Sequence, residues 1–176
     1  MKKILFALII GILFFTCEAQ TKEDIQSKAE LFSEKTGTLI QKEFIDIGTL
    51  KKCKIQVVRF TDLITNTEQS ALKFEYELAS STTTDVKNTF LDSDELDGLM
   101  KSLKIIQEKI NSKKPTNYTE ISFRSRGGFE TGCIQNDGVW TIYLILQKLD
   151  GERYVWITIA DLPILYSFLE QAKDKL

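Results

Sequence analysis

The feature that most constrains this chain is the order of its hydrophobic patterns. Runs of period two come in fours, each four is closed by a run of period 3.6, and the series occurs twice. In the first series, Thr38 to Asp46, Lys54 to Ile64, Ala71 to Leu78 and Val86 to Leu91 read as strands. The third shows the cleanest alternation. Leu72, Phe74, Tyr76 and Leu78 share one face, and Lys73, Glu75 and Glu77 share the other, the mark of a sheet wet on one side. Gly48 and the segment Thr65-Asn66-Thr67-Glu68 punctuate the strands. Leu96, Leu99, Met100, Leu103, Ile106 and Ile110 then fall at helical spacing, with Asp92 or Ser93 as the cap, and Ser112 to Pro115 closes that helix.

The second series repeats the order. Thr119 to Ser125, Phe129 to Gln135, Val139 to Gln147 and Tyr154 to Ile159 read as strands, with turns at Gly127-Gly128, Asn136-Asp137-Gly138 and Asp150-Gly151. Val139 to Gln147 is apolar on both faces, so it belongs in the middle of its sheet. Asp161 caps the closing helix, Pro163 sits in its first turn, and Leu165, Phe168, Leu169 and Ala172 form its buried face. A faint echo aligns Thr89–Leu103 with Thr158–Ala172 and places Asp92 opposite Asp161. The expected fold is α+β: two similar β-β-β-β-α units, residues 38–112 and 116–176, with antiparallel sheets packed with their helices in one domain. A short N-terminal helix from Thr21 to Lys35 precedes them, capped by Thr21 with Asp24 and ended at Gly37.

This element order resembles the tandem β-β-β-β-α repeats of the Pur-alpha and whirly group of single-strand nucleic-acid binders. The resemblance spans most of the chain and implies the architecture. By fold analogy it also implies single-strand nucleic-acid binding. Lys42-Glu-Phe44 after Gly37-Thr38, Arg126-Gly-Gly-Phe129 and Asp161-Leu-Pro163 are similar to small exported proteins of Bacteroidota-type bacteria, a resemblance that implies no activity.

Residues 1–19 read as an export signal: Lys2-Lys3, then an apolar run from Ile4 to Phe15 too short to span a bilayer comfortably. Two processing sites fit. Cleavage after Ala19 releases a periplasmic or secreted domain, residues 20–176. Lipidation of Cys17 makes an outer-membrane lipoprotein and supplies the one route to a membrane. The 23 basic and 25 acidic residues nearly cancel, which works against nucleic acid and against charge-driven binding to anionic lipid.

Histidine is absent. That excludes Ser-His-Asp and Cys-His nucleophile activation, His-ligated zinc and imidazole proton shuttling in one step. Cys53 and Cys133 are a possible disulfide in an oxidising compartment; two separate buried thiols are the other reading. Asp92 to Gly98 fails the calcium-loop frame, because Leu96 stands where the fifth ligand should, so its acids read as a helix N-terminus. Arg124, Arg126, Gly127 and Gly128 form the candidate ligand site: two guanidiniums on one strand face beside flexible backbone N–H groups, suited to a small anion. Asp46, Asp62 and Asp161 are candidate carboxylates with nothing to pair them. Tyr118, Phe123, Phe129, Trp140, Tyr143, Tyr154 and Trp156 crowd the second series; exposed ones would suit a carbohydrate or peptide. No metal or cofactor is expected. The expected function is a non-enzymatic binding or interaction module of the cell envelope, whose partner is another envelope protein or a small anionic ligand. The alternative is a carboxylate-based envelope hydrolase acting on glycans.

Overall fold

The structure is a computed structural model that describes residues 26–79, 84–146 and 154–176. It is α+β, with two antiparallel four-stranded sheets, each a meander in sequence order. The first sheet is β1 (Ile40–Leu50), β2 (Cys53–Asp62), β3 (Thr67–Ala79) and β4 (Thr84–Asp92), followed by α2 (Leu96–Asn111). The second is β5 (Thr119–Arg124), β6 (Glu130–Asn136), β7 (Val139–Ile145) and β8 (Tyr154–Ile157), followed by α3 (Leu162–Lys173). A six-residue helix, α1 (Lys28–Ser33), precedes both. The export signal, Cys17, the first residues of the expected N-terminal helix and the Asp150-Gly151 turn lie outside the described residues.

Each long helix packs on the sheet of the other half. α2 lies against β5 and β6, α3 lies against β1 and β2, and the two helices touch. One hydrophobic cluster therefore takes Ile55, Val57, Leu72 and Phe74 from the first sheet and Cys133, Ile142, Leu144 and Val155 from the second. Leu99, Leu103, Leu165 and Leu169 of the helices complete it. Phe74 and Phe129 stack across the halves with ring centroids 4.2 Å apart. The outer face of the first sheet carries a second cluster, Val58, Phe60 and Ala71, and Ala29 and Phe32 of α1 cover it.

Several local expectations change. Gly48 does not end β1; the strand continues through a bulge between Asp46 and Gly48 to Leu50. Gly48 is instead where the Phe168 ring of α3 arrives, in the space a Cβ would need. The hairpin turn falls on Lys51 and Lys52, both at positive φ (47° and 68°), residues that carry no turn signal. α1 begins at Lys28 with a capping box of Ser27 and Glu30, while Thr21 and Asp24, the expected cap, lie outside the described residues. The echo is real in kind but displaced. A short 3-10 turn leads into each long helix, with Asp92 at the cap before Ser93–Glu95 and Thr158 at the cap before Ile159–Asp161. Asp92 is therefore the counterpart of Thr158, and Glu95 of Asp161. A shift of three residues nearly preserves a 3.6-residue stripe, so the apolar pattern aligns in either register. Asp161 is accordingly the last residue of its box, accepting the Thr158 N–H and hydroxyl, both at 2.7 Å.

Because the core is shared, damage in either helix reports on the whole molecule. Leu103→Ala and Leu165→Ala should each cost about 2–5 kcal/mol and weaken one common unfolding transition. Two separate transitions in urea, one for each half, would show that the halves are independent.

Candidate functional site

Arg124 and Arg126 do not share one strand face beside the Gly-Gly turn, because β5 ends at Arg124 and alternation ends with it. Arg124 stays on the sheet and pairs with Glu130, its cross-strand neighbour, through Nε (2.8 Å) and Nη2 (2.6 Å). Arg126 turns toward the first half, where its guanidinium meets Asp92 (3.1 Å), Asp94 and Glu95, and its N–H donates to Glu95 (2.9 Å). Burial alone would lower the Arg126 pKa, and these carboxylates outweigh it and raise it. Asp92 is wholly buried and also accepts the backbone N–H groups of Lys28 (2.9 Å) and Ala29 (3.1 Å), the first residues of α1. Gly127 lies so close to the Phe90 carbonyl that a Cβ would collide, and its own carbonyl accepts from Thr89 (2.7 Å). Gly128, at φ +85°, completes the turn. This segment is a clasp between the halves. The acids of Asp92 to Glu95 belong to it, and no group of metal-holding side chains occurs among the described residues.

Of the two readings of the cysteines, the geometry matches the separate buried thiols. Cys53 and Cys133 are both free and fully buried. Cys53 opens β2 opposite Leu50 and Tyr76, while Cys133 sits in mid-β6 between Ile121 and Ile142, so the two lie in different sheets and pack as small hydrophobes. Burial pushes the Cys53 thiol up to about 12 and the Cys133 thiol up to about 11. Both should resist iodoacetamide at pH 8 until the protein unfolds, and dithiothreitol should leave the melting temperature unchanged. A fall in melting temperature on reduction would reveal a bond after all.

Asp46, Asp62 and Asp161 stand in separate networks. Asp46 accepts from Gln56 (2.6 Å) and pairs with Lys54 (3.0 Å). Asp161 is held by Thr158, with Lys51 at 3.4 Å. Asp62 shapes the turn after β2, accepting from the Thr38 hydroxyl and from the N–H groups of Ile64 and Thr65. The Thr38 hydroxyl first, and then the turn N–H groups, hold the Asp62 carboxyl down at about 2. A depressed carboxylate contributes stability that is present above its unfolded value, near 4, and is lost as pH falls through the folded one. Between pH 4 and pH 2 the parent should therefore lose melting temperature more steeply than Asp62→Asn. Equal slopes would remove Asp62 from the acid response.

The carboxylates that do come together are ones the sequence reading passed over, Glu120 and Glu130. They lie on the outer face of the second sheet, opposite the shared core. Strand register lays out that face in rows: Ser122, Gly132, Tyr143 and Trp156 in one, Arg124, Glu130, Ile145 and Tyr154 in the next. Gly132 is the enabling residue. A Cβ there would meet the Tyr143 hydroxyl, so its absence lets the Tyr143 ring lie flat across β6. The hydroxyl then reaches both Glu130 (3.1 Å) and Glu120 (3.4 Å). Burial pushes the Tyr143 phenol well above its ordinary range, and the two carboxylates push the same way, so it is a fixed proton donor. Tyr154 and Trp156 meet Tyr143 edge-on and stack on each other with centroids 5.0 Å apart and planes 4° apart. Tyr118, 62% exposed, donates to Glu120 at 3.5 Å. Trp156 is 52% exposed. On the first sheet α1 covers one end of the equivalent face, over Val58, Phe60 and Ala71, while Phe44 on that face stays 51% exposed. A search for rows across the register, rather than motifs along the chain, is what could have found this site.

Elsewhere a hollow of about 380 Å³ lies between α2 and α3, lined by Asp97, Met100, Lys101, Lys104, Tyr166 and Lys173. Its charges are largely answered within the chain: Lys173 pairs with Asp97 (2.5 Å), and Lys104 sits over the Tyr166 ring at 4.8 Å with Glu170 nearby. Among the described residues no helix is long and apolar enough to cross a membrane.

Comparison with known proteins gives no neighbour: no family model, no curated protein and no solved structure matches the chain.

Proposed function

We propose that the protein is an exported, non-enzymatic binding module of the cell envelope that engages its ligand through the outer face of the second sheet. The observation that carries the reading is Trp156, an indole left half exposed on a face that otherwise organises its polar groups carefully. Large aromatics on well-formed strands favour burial, and one held outward by a stack and an edge contact is pre-organised for recognition. Lys2-Lys3 and the apolar run after them support export. The lack of histidine and of a nucleophile set supports a non-catalytic role. Arg124 is the sole cation in the rows named above and is committed to Glu130, which is poor for a phosphate backbone.

One observation favours the hydrolase alternative: Glu120 and Glu130 converge on one hydroxyl. Glycoside hydrolysis needs two carboxyl groups that both reach the scissile bond. Glu130 is 8% exposed and tied to Arg124, so it is closed to substrate, while Glu120 is open.

A photo-crosslinking residue placed at exposed Ser122 of the full chain, expressed in its own host, tests the proposal. Adducts with an envelope component are expected from Ser122 and not from Glu108 on α2. Trp156→Ala should abolish them while changing stability by about 1 kcal/mol or less. Turnover of a glycan substrate that disappears in Glu120→Gln would replace this reading with the enzymatic one.

A further inference from the structure

We infer that the ligand of the outer face is a neutral oligosaccharide, with one pyranose ring seated on the open side of the Trp156 indole and the hydroxyls of a further ring donating to Glu120. The inference rests on the binding reading above and narrows it to a chemical class. One side of Trp156 is taken by Tyr154 and an edge by Tyr143, yet half of the side chain remains exposed, so the opposite indole face is open. A flat apolar surface of that kind matches the C–H face of a sugar ring. The polar groups beside it are acceptors and hydroxyls. Glu120 receives the Tyr118 hydroxyl, shares the single Tyr143 proton with the nearer Glu130 and has no cation partner among the described residues, leaving lone pairs for further donors. Ser122 and Thr141 are exposed on the same side. Tyr143 links the two features, since its ring touches Trp156 and its hydroxyl touches Glu120. The two groups stand on opposite edge strands, three strand spacings or about 14 Å apart, a span that an oligosaccharide crosses with one ring face on the indole and the hydroxyls of another ring at the carboxylate.

The competing ligand classes fit less well. An anion would meet Glu120 without a cation partner, and Arg124, the one guanidinium on this face among the described residues, is held by Glu130 at 2.6 Å. An alkylammonium suits a carboxylate beside aromatics, but such sites enclose the cation between several ring faces. Here Tyr154 and Trp156 are parallel and packed on each other, so they present one outer face and no cage. An apolar peptide side chain would cover Trp156 but strip water from Glu120 without replacing its hydrogen bonds.

Trp140→Phe in the full chain leaves Trp156 as the sole tryptophan, and its fluorescence reports directly on the face. The probes are neutral gluco-, xylo-, manno- and N-acetylglucosamine hexasaccharides, tetramethylammonium chloride and a lysine-free tetrapeptide of apolar residues. At least one hexasaccharide should shift Trp156 emission saturably. By isothermal calorimetry on the parent chain, Trp156→Ala should weaken that binding by at least about tenfold, Trp156→Phe should restore part of it, and Glu120→Gln should weaken it by about tenfold. Lys101→Ala, in the helix groove, should leave it unchanged. Saturable binding of tetramethylammonium or the peptide with none by any saccharide overturns the glycan assignment and leaves the binding reading standing. Saccharide affinity equal in the parent and in Trp156→Ala overturns it as well, since the contact then lies elsewhere. Silence of all probes at Trp156, with crosslinked adducts mapping away from Ser122, removes both readings together.

Discussion

The crossing of the two long helices governs this molecule. A four-stranded meander with one apolar face needs cover, and a single helix covers part of it. Here each half lends its helix to the other, so α2 completes the core over β5 and β6, and α3 completes it over β1 and β2. Gly48 under Phe168 and the Phe74–Phe129 stack are local consequences of that exchange. The cluster that results has no seam along which the halves could separate without exposing both.

At the edge of this arrangement sits a buried carboxylate with four donors. Asp92 joins the first turn of α1, the end of β4 and the Arg126 turn of the second half. A buried charge is tolerated when its lone pairs are filled, and these are. Its effect on function is indirect: by fixing α1, it closes the outer face of the first sheet over Phe60 and Val58. On the second sheet no described element covers Trp156 and Tyr118, and both remain exposed. The duplication thus yields one outer face with a helix over part of it and one with no helix over it among the described residues, and the proposed recognition surface is the second.

Much of the architecture was legible along the chain because period-two and period-3.6 patterns are local consequences of burial. Leu72-Lys73-Phe74-Glu75 and Leu99-Met100-Leu103 announce their elements without help from elsewhere. The failures have particular causes. Gly48 looked like a stop because its partner, Phe168, lies far along the chain. Lys51 and Lys52 carried no turn signal because the pairing of β1 with β2 imposes their positive φ. Asp92 does cap the turn into its own helix, but its oxygens also hold the first N–H groups of α1, a contact with no signal along the chain. Arg124 and Arg126 read as a pair because alternation was extended past the strand end.

The sequence alone determined the element types, their doubled order and the absence of imidazole chemistry, since these depend on side-chain period and composition. Tertiary structure decided which helix covers which sheet, which carboxylates meet and which aromatics stay outside. Those outcomes depend on strand register and on contacts between residues far apart in the chain. Gly132 states the difference: in the sequence it is one small residue in a strand, and in the fold it is the gap through which Tyr143 reaches Glu120.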